Sequence, residues 1–194
     1  MTYKIPVAVL VGSLRANSFS GQVADALIAR GDPRLVLSRL PIGALPLYNQ
    51  DEELDAPPEH TAFREAALAA SAFLLVTPEY NRGVPGGLKN ALDIGSRPYG
   101  QSVFDRKPAA IVSQSPGAMG GILANHALRS TLMFLNMPTL AQPEMYLSNS
   151  AALFDGQGNP ATEGFAKLLD SFMERFADWV ELHAREAQRA GPVA

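Results

Sequence analysis

The feature that most constrains the fold lies near the N-terminus. Ile5-Pro6-Val7-Ala8-Val9-Leu10-Val11 is an unbroken apolar run that stops at Gly12-Ser13. A strand with one wet face would alternate polar and apolar residues. A run without alternation expects apolar cover on both faces, the condition of a parallel sheet wrapped by helices. The period then changes: Val23, Ala26, Leu27 and Arg30 fall at helical spacing after Ser18 or Ser20 as candidate N-caps, and Gly31-Asp32-Pro33 ends the segment. The same exchange of periods recurs along the chain. Leu35 to Leu40 reads as a strand, Pro41 to Glu59 as a proline-rich ordered loop, His60 to Ala70 as a helix and Ala72 to Thr77 as a strand stopped by Pro78. Gly87 to Ser96 reads as a short helix, Ala109 to Ser113 as a strand, Gly121 to Leu135 as a helix and Thr139 to Leu147 as an irregular strand. A final helix over 162–187 carries Phe165, Leu168, Leu169, Phe172, Phe176, Trp179 and Val180 as a core-facing stripe. Five strands alternating with five helices predict an α/β fold with a parallel sheet covered on both faces.

Composition narrows the function classes. The 194 residues are expected to form one domain, with 1–4 and 188–194 as flexible tails, and leave no room for separate cofactor and nucleotide domains. Sixteen Lys and Arg against nineteen Asp and Glu give a net charge of −3, which supplies no basic face for nucleic acid or an anionic membrane. With no cysteine, disulfides, iron–sulfur clusters, a catalytic thiolate and a dithiol relay are excluded, so any electron transfer must be borne by an organic cofactor. No signal-peptide pattern precedes the first strand, and a cytoplasmic protein is expected. Charged residues make up 18% of the chain against about 25% in typical domains, a hint of surface hidden in an oligomer. His60, His126 and His183 lack metal-ligand spacing, and no metal site is expected. His60 and His183 fit exposed helix positions, and His126 a packed position or one at an interface.

In an open parallel sheet, ligands bind beyond the carboxyl ends of the strands, where strand order reverses. After the first strand comes Gly12-Ser13-Leu14-Arg15-Ala16-Asn17-Ser18-Phe19-Ser20, entering a helix N-terminus. Hydroxyls, free amides and one guanidinium make a phosphate cradle there, or else a Ser-capped turn with a solvated Arg. Neither the P-loop nor the Gly-x-Gly-x-x-Gly pattern is present. After the third strand, Pro78-Glu79-Tyr80-Asn81 leads through Gly83 and Pro85-Gly86-Gly87, a stiff loop able to present backbone groups to a flat heterocycle, or a surface turn. After the fourth strand, Ser115-Pro116-Gly117-Ala118-Met119-Gly120-Gly121 lets backbone approach a ligand, or merely caps a helix. Glu79, Asp93 and Glu144 are the carboxylates expected nearest this rim, with Asp93 read as helix surface or a structural hydrogen bond, and Arg97 beyond the short helix is either a group that orients an anionic substrate or a solvated or structural Arg.

Taken together, Gly12-Ser13-Leu14-Arg15 with Ser18, Leu45-Pro46-Leu47-Tyr48-Asn49 with Asp51, Pro78-Glu79-Tyr80-Asn81, Leu88-Lys89-Asn90-Ala91 with Asp93, and Ser96-Arg97-Pro98 resemble the flavodoxin-like NAD(P)H-dependent FMN reductases, in their chromate or quinone reductase branch. The resemblance implies a flavodoxin-like three-layer sandwich with a five-stranded parallel sheet of order 2-1-3-4-5. It assigns the FMN phosphate to Ser13, Arg15, Ser18 and Ser20. The isoalloxazine falls to Pro78, Glu79, Tyr80 and Asn81, with Ser115 and Gly117 nearby. It also implies a homodimer or homotetramer with the Tyr48-Asn49 loop near the subunit interface. Relatives often carry Asn where Ser20 stands and Trp near Ile94-Gly95.

The expected activity is oxidation of NADPH or NADH and reduction of a small-molecule acceptor such as a quinone, azo compound, free flavin or chromate, with the two substrates taking turns in ping-pong fashion. The chemistry is flavin-borne, and no side chain is required as acid or base. The alternative is an FMN electron carrier of flavodoxin type that does not oxidise NAD(P)H.

Overall fold

The computed structural model describes residues 4–190; the expected tails at 1–3 and 191–194 lie outside the described residues. Five parallel strands, β1 (Ile5–Val11), β2 (Leu35–Arg39), β3 (Ala72–Pro78), β4 (Ala109–Gln114) and β5 (Met145–Leu147), lie in the order β2-β1-β3-β4-β5. The helices are α1 (Phe19–Ala29), α2 (Pro58–Ala69), α3 (Gly86–Gly95), α4 (Ile122–Phe134) and α5 (Glu163–Ala190).

Successive strand residues face opposite sides, so one run of sequence builds two cores. Val7, Val9, Leu74, Val76 and Val112 pack with Val23 and Leu27 of α1 and Phe172, Phe176 and Val180 of α5. Ala8, Leu10, Phe73, Leu75 and Ile111 face the other way, against Phe63 of α2, Leu88 and Leu92 of α3, and Leu128 and Leu132 of α4. Every residue from Ala72 to Thr77 and from Ala109 to Gln114 is buried, as central strands of such a sheet must be. β2 is an edge strand and exposes Val36, Ser38 and Arg39.

Differences from the sequence expectation are local. β5 has three paired residues; the segment from 139 to 144 contributes only a bridge between Thr139 and Ala109, because Pro138 and Pro143 interrupt the ladder. The 41–57 segment contains a short 3-10 turn, Gln50–Asp55, whose start is capped by the Asn49 side chain accepting from the Asp51 amide at 3.1 Å. It is stitched to the helices beneath it. The buried Asn90 accepts from the Tyr48 amide at 2.8 Å and donates to the Pro46 carbonyl at 2.9 Å. His60 Nε2 donates to the same carbonyl at 2.9 Å. His60 is therefore buried, against the expectation of an exposed helix position, while His126 is exposed beside the Tyr146 hydroxyl. His183 is half-buried against the Trp179 ring.

Candidate active site at the carboxyl edge of the sheet

All five strands point the same way, so the segments after β1, β3 and β4 emerge along one edge, on either side of the point where strand order reverses. The segment after β1 is pressed onto β3: the Gly12 amide donates to the Val76 carbonyl at 2.8 Å, and a Cβ at Gly12 would meet Thr77 Oγ1 at 2.9 Å. It then turns outward through exposed Leu14, Arg15, Ala16 and Asn17, with Asn17 left-handed at φ 54°. Ser18 is the N-cap of α1, its hydroxyl accepting from the Gly21 amide at 3.0 Å. The first turn of α1 holds no acidic residue, so its remaining unpaired amides and the positive end of its dipole are uncompensated. An anion is the natural complement to that end. Arg15 makes no ion pair among the described residues.

Ser20 does not join this cradle. It is fully buried, and its Oγ accepts from Gln114 Nε2 at 2.8 Å at the end of β4. The second helical residue turns inward because α1 packs on the sheet through that face, which places Ser20 beneath the helix mouth. Gln114 Oε1 and the nearby Ser150 Oγ are buried with no protein partner. Leaving such atoms unsatisfied costs about 1–3 kcal/mol each, so the ground beneath the edge is polar beyond what the chain's own contacts use.

The segment after β3 is a two-residue hairpin. Tyr80 and Gly83 exchange both backbone hydrogen bonds at 3.0 Å, and the two residues between them, Asn81 and Arg82, are both left-handed at φ 48° and 65°, a type I′ turn. Tyr80 is 71% exposed, an aromatic ring left uncovered at the rim. Glu79 is not turned to the rim as a free carboxylate. Its Oε2 accepts from the Leu123 amide at 3.0 Å and the Ala124 amide at 3.4 Å, capping α4 from another loop. α4 needs this remote acceptor because its own N-cap position is Gly121, which has no side chain to offer. A helix preceded by Met119-Gly120-Gly121 and lacking any local capping residue was the signal in the sequence for this contact.

The segment after β4 is held on all sides. The Ser115 amide donates to the Leu147 carbonyl at 3.0 Å, the Ser115 hydroxyl to the Gly117 carbonyl at 3.0 Å, and the Ser148 hydroxyl to the Ala118 carbonyl at 2.6 Å. Buried Ser113 donates to the Gly120 carbonyl at 2.8 Å. Gly120 is obligatory: it is left-handed at φ 59°, and a Cβ there would stand 2.6 Å from the carbonyl carbon of Tyr146. Pro78, Glu79, Tyr80, Asn81, Ser115 and Gly117 therefore lie on adjacent loops joined by the Glu79 clamp, with Ser13, Arg15 and Ser18 across the switch point.

Arg97 does not reach this rim within the chain. It follows the C-terminus of α3, about 16 Å along the helix from its start, because a helix returning from a parallel strand carries its end back to the opposite edge. Arg97 Nε donates to Glu53 Oε1 at 2.6 Å, and Tyr48 donates to the same carboxylate. Arg97 and the Tyr48 hydroxyl hold the Glu53 carboxyl below the usual carboxylate range, and desolvation by burial and the Glu53 contact raise the Tyr48 phenol. This network lines a separate cavity of about 260 Å³ with Asn49, His60, Arg64 and Pro98. Asp93 pairs with Lys89 at 2.6 Å on α3, and Glu144 accepts from the Tyr146 hydroxyl at 2.8 Å ahead of β5, so neither stands with Glu79.

The family model of NADPH-dependent FMN reductases matches residues 5–152, from the start of β1 to the turn after β5. A quinone reductase from Pseudomonas putida is 52% identical over 186 residues, which cover 94% of this chain and 98% of that protein. A 2-hydroxy-1,4-benzoquinone reductase from a Burkholderia species is 44% identical over 176 residues, covering 91% and 96%. Among solved structures, the flavoenzyme NAD(P)H:(acceptor) oxidoreductase FerB from Paracoccus denitrificans superposes with a TM-score of 0.87 at 38% identity, over 92% of this chain and 98% of that one. By sequence and by fold, the chain belongs to the NADPH-dependent FMN reductase family.

Proposed function

We propose that the chain is an FMN-dependent NAD(P)H:quinone oxidoreductase, with donor and acceptor using one rim in turn. The observation that carries this reading is the fit of the carboxyl edge to a phosphorylated flat ring. An uncompensated helix N-terminus with Ser13, Arg15 and Ser18 stands across the switch point from two clamped loops with an uncovered aromatic. The names of the Pseudomonas putida and Burkholderia relatives support a quinone as the acceptor. Azo compounds, free flavins and chromate are further acceptors in this reading.

Ser13, Arg15, Ser18 and the first amides of α1 would hold the phosphate, with Ser20 and Gln114 as the floor beneath them. Pro78, Tyr80, Asn81 and the backbone of Glu79 would hold one edge of the ring, and Ser115 and Gly117 the other. Bound FMN supplies hydride acceptance from the nicotinamide and delivery to the quinone. The protein's part would be to hold the ring on loops tied down by their own hydrogen bonds: preorganised amides act without reorganisation when charge develops. Exposed Leu54 and Tyr99 on one side and Met133 and Phe134 at the end of α4 support self-association, as a cytoplasmic homodimer or homotetramer.

The test is the visible absorption of the purified protein under anaerobic conditions. A flavin band that bleaches with NADPH or NADH and returns with benzoquinone is expected. A colourless protein that FMN does not reconstitute overturns the cofactor assignment. A bound flavin that neither nucleotide bleaches points instead to an electron carrier.

A further inference from the structure

We propose that Arg82 binds the phosphates of the dinucleotide hydride donor and so sets the affinity for that donor; the inference rests on the function proposed above. The first observation is strain. A type I′ turn takes Asn-Gly with ease, yet the second central residue here is Arg82, left-handed at φ 65°. A residue held in that region at a site's rim points to a use for its side chain.

The second observation is what the guanidinium lacks. Its nearest carboxylate, Glu79, spends Oε2 on the α4 amides, and Oε1 stands 3.8 Å from Arg82 Nη1, beyond hydrogen-bond reach. The Arg82 side chain is 72% exposed with its donors available.

The third is a census of cations on this edge. The segments 40–57, 115–121 and 148–162 contain neither Lys nor Arg. Arg39 at the end of β2 is paired with Asp25 at 2.7 Å and donates to the Gly21 carbonyl at 2.7 Å. Arg15 belongs to the cradle at α1. Lys89, near the start of α3, is paired with Asp93 at 2.6 Å. A dinucleotide brings a pyrophosphate of its own, and among the described residues of these loops Arg82 is the cation left to meet it, next to the uncovered Tyr80 ring. Guanidinium and phosphate oxygens match in charge and in the spacing of their hydrogen bonds.

The experiment uses the flavin-loaded protein with a neutral benzoquinone as acceptor and two donors, NADPH and N-benzyl-1,4-dihydronicotinamide, which has the same reacting ring and no phosphate. The variants are Arg82→Ala, Arg82→Gly and Arg82→Lys; the Gly variant relieves the turn while removing the charge. For the Ala and Gly variants, the KM for NADPH rises about tenfold, as expected for loss of a charge-assisted contact, while its kcat holds. The KM for the phosphate-free donor changes by less than about twofold, and Arg82→Lys recovers most of the loss. Equal effects on both donors mean that the residue shapes the loop, and they overturn the proposal. An unchanged KM for NADPH in the Gly variant overturns it as well. Wild-type protein that oxidises neither donor overturns the underlying functional reading, and this inference with it.

Discussion

Replacing Glu79 with Ala removes a side chain that ties the β3 hairpin to α4. The carboxylate is 12% exposed and accepts from two first-turn amides, at 3.0 and 3.4 Å. Loss of an N-cap acceptor costs about 1 kcal/mol. Removing a negative charge from a helix N-terminus costs about 0.3–1 kcal/mol more. The sum of about 1.5 kcal/mol corresponds to a fall in melting temperature of roughly 3–6 °C for a chain of this size. Glu79→Gln keeps a neutral acceptor and should lose about half of that. The hairpin is also one wall of the proposed ring site, so freeing it should raise the Kd for FMN several-fold, with the Ala variant above the Gln variant. Thermal melts and a flavin fluorescence titration measure the two effects. If Glu79→Ala melts within about 1 °C of the wild type, the two bonds carry no net energy and the clamp argument is wrong. If it melts lower but binds FMN equally well, the clamp stabilises the fold without positioning the site.

Other outcomes follow from particular groups. Arg15→Ala should weaken FMN binding about tenfold or more while leaving riboflavin, which lacks the phosphate, nearly unaffected; equal losses for both would contradict the cradle. Asp32 makes a two-pronged pair with Arg34 at 2.8 Å for each contact, and the Arg34 guanidinium lowers the Asp32 pKa. Asp32→Asn should therefore cost about 1 kcal/mol at neutral pH. That gap stays constant above the unfolded carboxylate pKa of about 4 and closes as pH falls through the lower folded value, readable in melts across an acid series. Burial brings the Lys107 ammonium down to about 8, so from there to about 10.4 the unfolded chain holds a proton that the native state has released. Stability relative to Lys107→Met should rise across that window, and a flat or falling difference would refute it.

The sheet was legible in the sequence because its central strands are buried on both faces and therefore read as unbroken apolar runs; Ile5–Val11 and Ala72–Pro78 carry little else. α5 was legible for the complementary reason, a single apolar stripe on an otherwise polar helix. β5 was not. Three residues leave no period to read, and their pairing depends on where β4 ends. The loops of the site could be named because parallel strands must deliver their exits to one edge, whatever the loops contain.

What escaped the sequence depends on contacts between distant segments. Ser20 and Ser18 are two residues apart and face opposite ways, one against Gln114 and one at the helix mouth. Glu79 meets an amide 44 positions away. His60 is buried because the proline-rich segment folds back over α2 and α3, bringing the Pro46 carbonyl to its ring. Arg97 follows the end of α3 that a crossover between parallel strands carries away from the rim, and its partner Glu53 lies on that same folded-back segment, 44 positions away.

If one rim of this chain serves donor and acceptor in turn, the two substrates exclude each other. Initial rates with NADPH and benzoquinone varied together test it most directly. Parallel double-reciprocal lines, with each substrate inhibiting competitively against the other at high concentration, are the expected result. Lines that intersect to the left of the axis would mean that both substrates are bound at once, at separate places, and would contradict it.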